Sequence, residues 1–201
     1  MSQRLFLDIE TIPASEEARE TLEKLHAKKN RGTEDFEEYM AKTSFDGAFG
    51  RILCIGYAVD DDETDVLYNE ENEKETLRQF WELAKNTDVF VGHNVMDFDL
   101  RFIYQRSIVN NVVPSVDLSF ARYRNYPIYD TMREWAKWSM NSIGLEHLAL
   151  ALGIPTPKDG GIDGSQVWDF YKHGKVQEIL DYCKRDVETT RAVFKRMVFE
   201  D

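Results

Sequence analysis

Five side chains able to bind metal ions or take part in proton chemistry lie in three short motifs, far apart in the chain. The segment LFLDIET contains Asp8 and Glu10, VFVGHNVMDFDLRF contains Asp99, and LDYCKRD contains Tyr182 and Asp186. Side chains two residues apart on a strand, or four apart on a helix, emerge from the same face. The first and last motifs can therefore each direct two functional groups toward one site.

Each motif also has an ordinary structural interpretation. Asp8 and Glu10 could be solvated at the end of a strand, although paired carboxylates on a buried strand are costly unless a cation lies between them. Asp99 could be an acid in the first turn of a helix for which Asp97 is the natural cap. The last motif is compatible with the exposed face of an amphipathic helix. Taken singly, none of the motifs decides between these alternatives.

Together, the three motifs resemble the DEDD superfamily of 3′–5′ exonucleases. That pattern has D-x-E on the first strand, N-x-x-x-F-D at a strand-to-helix junction and Y-x-x-x-D on a late helix. In this sequence the corresponding residues are Asp8-Ile9-Glu10, Asn94…Phe98-Asp99 and Tyr182…Asp186. The resemblance extends from residue 5 to about residue 197.

The tyrosine in the last motif places the resemblance in one subgroup. The sequence is similar to the subgroup that includes the proofreading domains of family B DNA polymerases, which carry this tyrosine. The sister subgroup has a histidine at the position of Asp181. The segment SIGLEHLALALGIPTPKDGG also resembles stand-alone bacterial relatives of those domains. This resemblance implies a ribonuclease H-like α/β fold, with a mixed five-stranded sheet flanked by helices. Residues 1–201 are expected to form a single exonuclease domain.

The resemblance also implies roles for the motif residues. Asp8, Glu10 and Asp186 would hold one divalent ion, and Asp8 would bridge to a second ion that Asp99 supports. Two Mg²⁺ or Mn²⁺ ions are the expected cofactors, because these hard ions prefer oxygen ligands. Tyr182 would orient the attacking water, since a phenol with a pKa of about 10 is a poor base at pH 7.

Residues beside the motifs are expected to contact the substrate: Ile12, Asn94, Phe98 and Phe102. An apolar wedge of this kind could separate terminal bases, and stacking on aromatic rings contributes ~1–3 kcal/mol per base in single-strand binders. Packing in the core is the alternative for the apolar members. His93 follows a strand and is expected to be a packed or loop residue and not a catalyst.

These features predict a metal-dependent 3′–5′ exonuclease that hydrolyses phosphodiester bonds at single-stranded DNA 3′ ends and releases nucleoside monophosphates. RNA or short oligonucleotides are an alternative substrate, because these motifs do not show whether the active site accepts or excludes the 2′-hydroxyl of RNA. A second alternative is a nuclease-like fold kept as an interaction module, although no metal ligand is missing. The sequence points to no particular polymerase or helicase partner.

Composition sets limits on these hypotheses. The chain has 201 residues, of which 42% are hydrophobic, enough for the core of one domain. The net charge of −12 argues against a general nucleic-acid coat protein, so we expect weak, metal-dependent substrate binding. No apolar stretch approaches the ~20 residues of a membrane span, and the N-terminus lacks the features of a secretory signal. With Cys54 and Cys183 not in metal-type spacing, a cytoplasmic protein without a membrane partner is expected.

The elements that must position the motifs follow from hydrophobic periodicity and turn residues. One further helix is expected to start at Ser15. Another is expected to start at Thr33, inside a polar stretch at 28–50. Local cations that could contact phosphates occur at 28–31 and 122–124. The predicted strands are 4–10, 51–59, 65–69, 88–92 and 127–130, and the main helices are 75–85, about 97–109, 144–153, 165–172 and 175–199.

Overall fold

The computed structural model describes residues 2–29, 35–156 and 161–200. The strands in these residues are β1 (Arg4–Ile12), β2 (Arg51–Val59), β3 (Asp65–Tyr68), β4 (Val89–Gly92) and β5 (Ile128–Asp130). The helices are α1 (Arg19–Lys29), α2 (Phe36–Lys42), α3 (Glu73–Ala84), α4 (Asp99–Val109), α5 (Thr131–Trp135), α6 (Leu145–Leu152), α7 (Val167–Lys172) and α8 (Val176–Met197).

The five strands form one mixed sheet in the order β3-β2-β1-β4-β5. β1 pairs antiparallel with β2 and parallel with β4, and the edge strands β3 and β5 extend these two halves. β1 is therefore the central strand, flanked on both sides. This topology confirms the predicted ribonuclease H-like α/β fold with a five-stranded mixed sheet.

The two faces of β1 contact different layers of helices, as its alternating sequence predicts. Leu5, Leu7 and Ile9 are buried in the main core, together with apolar side chains of α3 and α4. Phe6 faces the other way and meets Phe194 of α8 at a ring-centroid distance of 5.4 Å. Asp8 and Glu10 continue the Phe6 side of the strand, so they face the layer that contains α8.

Helix α8 packs closely against the sheet because residue 56 has no side chain. A Cβ atom on Gly56 would lie 2.8 Å from Cys183 Sγ and 3.1 Å from the Cys183 carbonyl oxygen. Gly56 is also the β2 partner of Asp8 across the antiparallel pair. The absence of a side chain at this position therefore lets α8 approach the sheet beside the first acid of β1.

Most of the predicted elements match the structure to within a few residues. Ser15 occupies the position before a short 3₁₀ turn that leads into α1, although its side chain forms no capping hydrogen bond. Gly153 ends α6 in the left-handed conformation, with φ of 69°, as its place at the end of the apolar run predicts. The proposed start at Thr33, part of the 28–31 cation cluster and residues 157–160 of the glycine-rich loop lie outside the described residues. No helix in the described residues is both long and apolar enough to cross a membrane.

Candidate active site

The two acids of β1 lie at the centre of the sheet on the side of α8. Glu10 is paired across the sheet with Cys54, and the register shifts immediately after Glu10. This irregularity is typical of a β-bulge, a device that redirects side chains next to functional sites. Glu10 is buried, whereas Asp8 is partly exposed. The prediction that both carboxylates lie on one face of β1, with Ile9 on the other, is confirmed.

Asp99 reaches the same region from the start of α4. Its Oδ1 accepts a hydrogen bond from the Ile9 backbone N–H at 3.0 Å, and its side chain is buried. The loop before α4 folds back sharply at Gly92, where a Cβ would lie 2.5 Å from the Val95 Cβ. The carboxylate of the second motif is therefore attached to the backbone between the two acids of the first.

The prediction that Asp97 caps α4 is wrong. Phe98 occupies the N-cap position and makes no side-chain capping bond. The Asp97 carboxylate instead accepts hydrogen bonds from Arg133 and lies 3.5 Å from Arg101. A charge-assisted contact with a guanidinium outweighs a single backbone amide as a partner, and tertiary packing brings Arg133 within reach.

Asp130 is a buried residue of this region that sequence analysis missed. Its carboxylate accepts hydrogen bonds from the backbone amides of Asn94, Met96, Met132 and Arg133 at 3.1–3.2 Å. It therefore caps α5 and also holds the loop that precedes Asp99. The only available signal was an aspartate at the end of the apolar segment PIYD, directly before a helix.

The last motif completes the group from α8. Tyr182 and Asp186 are both buried, and their side chains are hydrogen-bonded to each other. Ile12 and Leu53 pack in the same apolar cluster as the Tyr182 ring. The interpretation of this motif as the exposed face of a helix is therefore wrong.

Burial and mutual repulsion control the protonation of the clustered acids. Burial, followed by the negative charges of Asp186, Asp99 and Glu10, raises the pKa of Asp8 well above its ordinary range. Burial also raises the pKa of Glu10 well above its ordinary range. It raises the pKa of Asp99 to about 7, although the amides of Asp99 and Ile9 act in the opposite direction. Asp186 contributes to the raised pKa of both β1 acids, so the four carboxylates form one electrostatic unit.

A cation fits this arrangement. In residues 2–29, 35–156 and 161–200, no lysine or arginine forms an ion pair with Asp8 or Glu10. The neighbouring carboxylates Asp99 and Asp186 both raise the pKa of Asp8 and of Glu10. Buried carboxylates without a counter-charge are costly, and divalent ions with oxygen ligands would remove that cost.

Comparison with known proteins identifies the family. A family model described as a predicted 3′-5′ exonuclease related to the exonuclease domain of PolB matches residues 47–200. The chain belongs to this exonuclease family. The matched range includes Asp99, Tyr182 and Asp186, whereas Asp8 and Glu10 lie before it. No curated protein matches the chain.

A solved structure agrees with the family assignment. The family B DNA polymerase from the hyperthermophilic archaeon Pyrobaculum calidifontis is similar in fold, with a TM-score of 0.69 and 17% sequence identity. The similarity covers 99% of this chain and 25% of the polymerase chain. The exonuclease-family protein therefore spans about a quarter of the length of that polymerase. The predicted resemblance to the family B proofreading domain is confirmed.

Two cavities adjoin the acids of this exonuclease-family protein. One, of about 310 Å³, is lined by Asp8, Tyr182 and Asp186 together with His93 and His147. The other, of about 470 Å³, contains Glu10 and a group of aromatic side chains: Phe45, Phe98 and Trp168. The carboxylate cluster thus faces a polar cavity on one side and an aromatic cavity on the other.

The four predicted substrate contacts have different surroundings. Phe98 lines the aromatic cavity, whereas Asn94 adopts a left-handed backbone conformation with φ of 62° in the turn before α4. Ile12 and Phe102 are buried side chains. Ile12 packs beside Tyr182, and the Phe102 ring lies 5.6 Å from that of Phe98. Direct contact of these two side chains with substrate stays a prediction.

His93 is a packed residue, as predicted. Its Nε2 lies 2.8 Å from the Ile143 carbonyl oxygen, and its Nδ1 lies 2.9 Å from Thr131 Oγ1. Burial lowers the pKa of His93, which favours the neutral ring. With both ring nitrogens in contact with protein atoms, His93 helps to shape the cavity wall beside Asp8.

Proposed function

We propose that this protein is a Mg²⁺- or Mn²⁺-dependent 3′–5′ exonuclease that shortens single-stranded DNA from its 3′ end and releases nucleoside monophosphates. Residues 1–201 would act as one exonuclease domain. The observation that carries the proposal is the convergence of carboxylates from β1, α4 and α8, with no basic side chain among the described residues paired to the β1 acids. A cytoplasmic location stays a prediction from the sequence.

The carboxylates have distinct roles in this proposal. Asp8, Glu10 and Asp186 would hold one ion, and Asp99 would support a second ion shared with Asp8. Divalent ions bound there would supply a nucleophile at neutral pH and offset the charge that develops at the phosphate. The hydrogen bond from Ile9 to Asp99 keeps one carboxylate oxygen occupied, which orients the other oxygen of Asp99.

Tyr182 would position the attacking water by donating a hydrogen bond. Burial and the negative charge of Asp186 raise the pKa of Tyr182 above its ordinary value, so the phenol keeps its proton at neutral pH. A group that keeps its proton can orient water but cannot act as a general base. In this role the Tyr182 hydroxyl would donate to the water in place of its present partner, the Asp186 carboxylate.

The aromatic cavity supports a single-stranded substrate. Phe98 and Trp168 line it beside Glu10, and Phe45 at its edge is 70% exposed. Unpaired bases bind to such surfaces by stacking, which tolerates any sequence. The end of a strand could therefore place its terminal base among these rings while its last phosphate meets the carboxylates.

The test is a degradation assay on DNA labelled at the 5′ end, with a matched RNA of the same sequence. We expect stepwise shortening of DNA in Mg²⁺ or Mn²⁺ and none in a chelator. Asp186→Asn should abolish shortening. Asp181→Asn, which changes an exposed acid on the same helix, is the matched control and should retain it.

Each other outcome has a defined meaning. Equal degradation by wild type and Asp186→Asn would reject this site. Faster degradation of RNA than of DNA would reject the DNA assignment while keeping the chemistry. Binding of DNA in Ca²⁺ without turnover in any metal would identify an interaction module.

A further inference from the structure

Two thiols lie against the acidic cluster and have no part in the proposed hydrolysis. Cys54 and Cys183 are free cysteines, each 0% exposed, and both belong to one buried apolar cluster. Cys54 is the cross-strand partner of Glu10, and Cys183 Sγ lies 3.6 Å from Asp8 Oδ2. Sulfur is therefore present within contact distance of a carboxylate that the hydrolytic chemistry requires.

The donor atoms are close enough to share one ion. One ligand atom each from Asp8, Glu10 and Cys183 lies within 4.8 Å of the other two. Bond lengths of ~2.3 Å to sulfur and ~2.0–2.2 Å to oxygen set the ligand atoms of a tetrahedral Zn²⁺ site roughly 3.3–3.8 Å apart. The separation of 3.6 Å between Cys183 Sγ and Asp8 Oδ2 already falls in that range.

Glu10 gives an independent indication that a cation belongs here. Its side chain is 7% exposed and directed toward the thiol and Asp8. In the part of the chain that the structure describes, the Glu10 carboxylate has no hydrogen bond and no ion pair. A buried carboxylate without a partner is costly, and an ion held by Asp8 and Cys183 would supply one.

A mixed set of sulfur and oxygen ligands selects a different metal from a set of oxygens alone. Mg²⁺ favours oxygen, whereas Zn²⁺ and Cd²⁺ accept thiolate ligands. Among first-row divalent ions, Zn²⁺ also binds protein ligands more tightly than Mn²⁺ does. The same two carboxylates can thus belong to a hard-ion site or, with Cys183, to a site for a thiophilic ion.

We propose that Asp8, Glu10 and Cys183 form a binding site for a thiophilic divalent cation, Zn²⁺ in particular, and that Zn²⁺ bound there inhibits the enzyme. The ion would enter from the cavity that Asp8 lines, and the Cys183 thiol would release its proton to solvent on coordination. Inhibition rests on the proposed exonuclease function, because Zn²⁺ would occupy carboxylates that the catalytic ions require. Binding of the ion does not depend on that function.

The binding test uses Cd²⁺ as a spectroscopic substitute for Zn²⁺. Titration of the metal-free protein with CdCl₂ should produce the ultraviolet absorption of a cadmium–thiolate bond, saturating at one equivalent, and ZnCl₂ should displace it. Cys183→Ser should abolish the band, whereas Cys54→Ser should retain it. Absence of the band in wild type, or its persistence in Cys183→Ser, would overturn the proposal.

A second variant keeps the test decisive if Cys183→Ser does not fold. Glu10→Gln retains both thiols, so the band should still form, but at a Cd²⁺ concentration more than about tenfold higher. Even outer partners of metal ligands contribute roughly 10- to 100-fold to affinity. An unchanged midpoint in Glu10→Gln would show that Glu10 is not a ligand and would overturn the proposal.

The inhibition arm measures exonuclease rates in Mn²⁺ with increasing ZnCl₂, each normalised to the same variant without zinc. We expect Cys183→Ser to need more than about tenfold more Zn²⁺ for half-inhibition than wild type or Cys54→Ser. Equal zinc sensitivity of all three would refute inhibition through this site. If no exonuclease activity exists but the cadmium band depends on Cys183, the proposed function fails and the metal site stands.

Discussion

Asp99 Oδ1 accepts a hydrogen bond from the Ile9 backbone N–H at 3.0 Å. This bond connects residues 90 positions apart and joins the second acidic motif to the strand that carries the first. Because Ile9 lies between Asp8 and Glu10, its amide holds Asp99 close to both. The bond therefore positions a carboxylate of the proposed metal site and also links α4 to the central strand.

Replacing Asp99 should separate these two roles. Asp99→Asn can still accept the Ile9 hydrogen bond but lacks the charge, whereas Asp99→Ala loses both. We expect kcat/KM to fall about 100-fold or more in each variant, because a ligand should contribute at least as much as its outer partners. Thermal unfolding should show that only Asp99→Ala is clearly destabilised, by about 1–3 kcal/mol. Full activity in Asp99→Asn would show that its charge is not needed.

Tyr182→Phe should lower activity with little effect on folding. The substitution keeps the ring that packs beside Ile12 and Leu53 and removes only the hydroxyl. We expect kcat to fall by about 10- to 100-fold, within the range of a single positioned catalytic group, and the melting temperature to change little.

The pH profile of the same variant distinguishes orientation from base catalysis. Since the pKa of Tyr182 lies above its ordinary value, deprotonation of this phenol should not shape the rate near neutral pH. Wild type and Tyr182→Phe should therefore give parallel pH–rate profiles, offset only in height. A limb of the wild-type profile that disappears in Tyr182→Phe would identify the phenol as a titrating base.

Asp130→Asn should reduce activity through the position of Asp99. The Asp130 Oδ2 accepts a hydrogen bond from the Met96 amide at 3.1 Å, and an asparagine NH₂ in its place would oppose that donor. We expect a loss of stability of about 1–3 kcal/mol and a lower affinity for Mn²⁺. Asp169→Asn, at an exposed aspartate on α7, is the control. Unchanged Mn²⁺ affinity in Asp130→Asn would contradict a positioning role.

The stability of the metal-free protein should decrease as the pH rises. Burial raises the pKa of Asp99 from 3.8 to about 7, so the folded state binds this proton more tightly than the unfolded state does. The free energy of unfolding then falls between about pH 4 and about pH 7, and for Asp99 alone the full shift amounts to on the order of 4 kcal/mol.

Denaturant unfolding in a chelator would measure this effect. The difference in stability between Asp99→Asn and wild type should increase across that pH window, because asparagine does not titrate. Added Mn²⁺ should stabilise wild type more at higher pH, where the carboxylates are ionised. A difference between the two proteins that does not change with pH would count against the raised pKa of Asp99.

Local periodicity predicted much of this architecture. The alternation of LFLDIET places Asp8 and Glu10 on one face of β1, because side chains on a strand alternate whatever the rest of the chain does. In the same way, the four-residue spacing of Tyr182 and Asp186 places both side chains on one face of a helix. Gly153 marked the end of α6 because the left-handed conformation favours glycine.

Contacts between distant segments could not be predicted in this way. Asp97 looked like a helix cap, but the pairing of β5 with β4 places Arg133 beside it in the folded structure. The full role of Asp130 could not be predicted, because two of its four amide partners, those of Asn94 and Met96, come near it only in the folded chain. The burial of Ile12 and Phe102 is likewise decided by neighbouring elements and not by the local sequence.

The sequence by itself determined which residues could do chemistry and which face of its own element each would occupy, since these depend on backbone geometry over a few residues. Only the tertiary structure brings the functional faces of β1, α4 and α8 together at one site. Gly56 lets α8 approach β1, the Ile9 amide holds Asp99, and the cross-strand pair of Glu10 and Cys54 sets sulfur beside the acids. These contacts depend on packing between segments far apart in the chain, and local sequence patterns do not predict such packing.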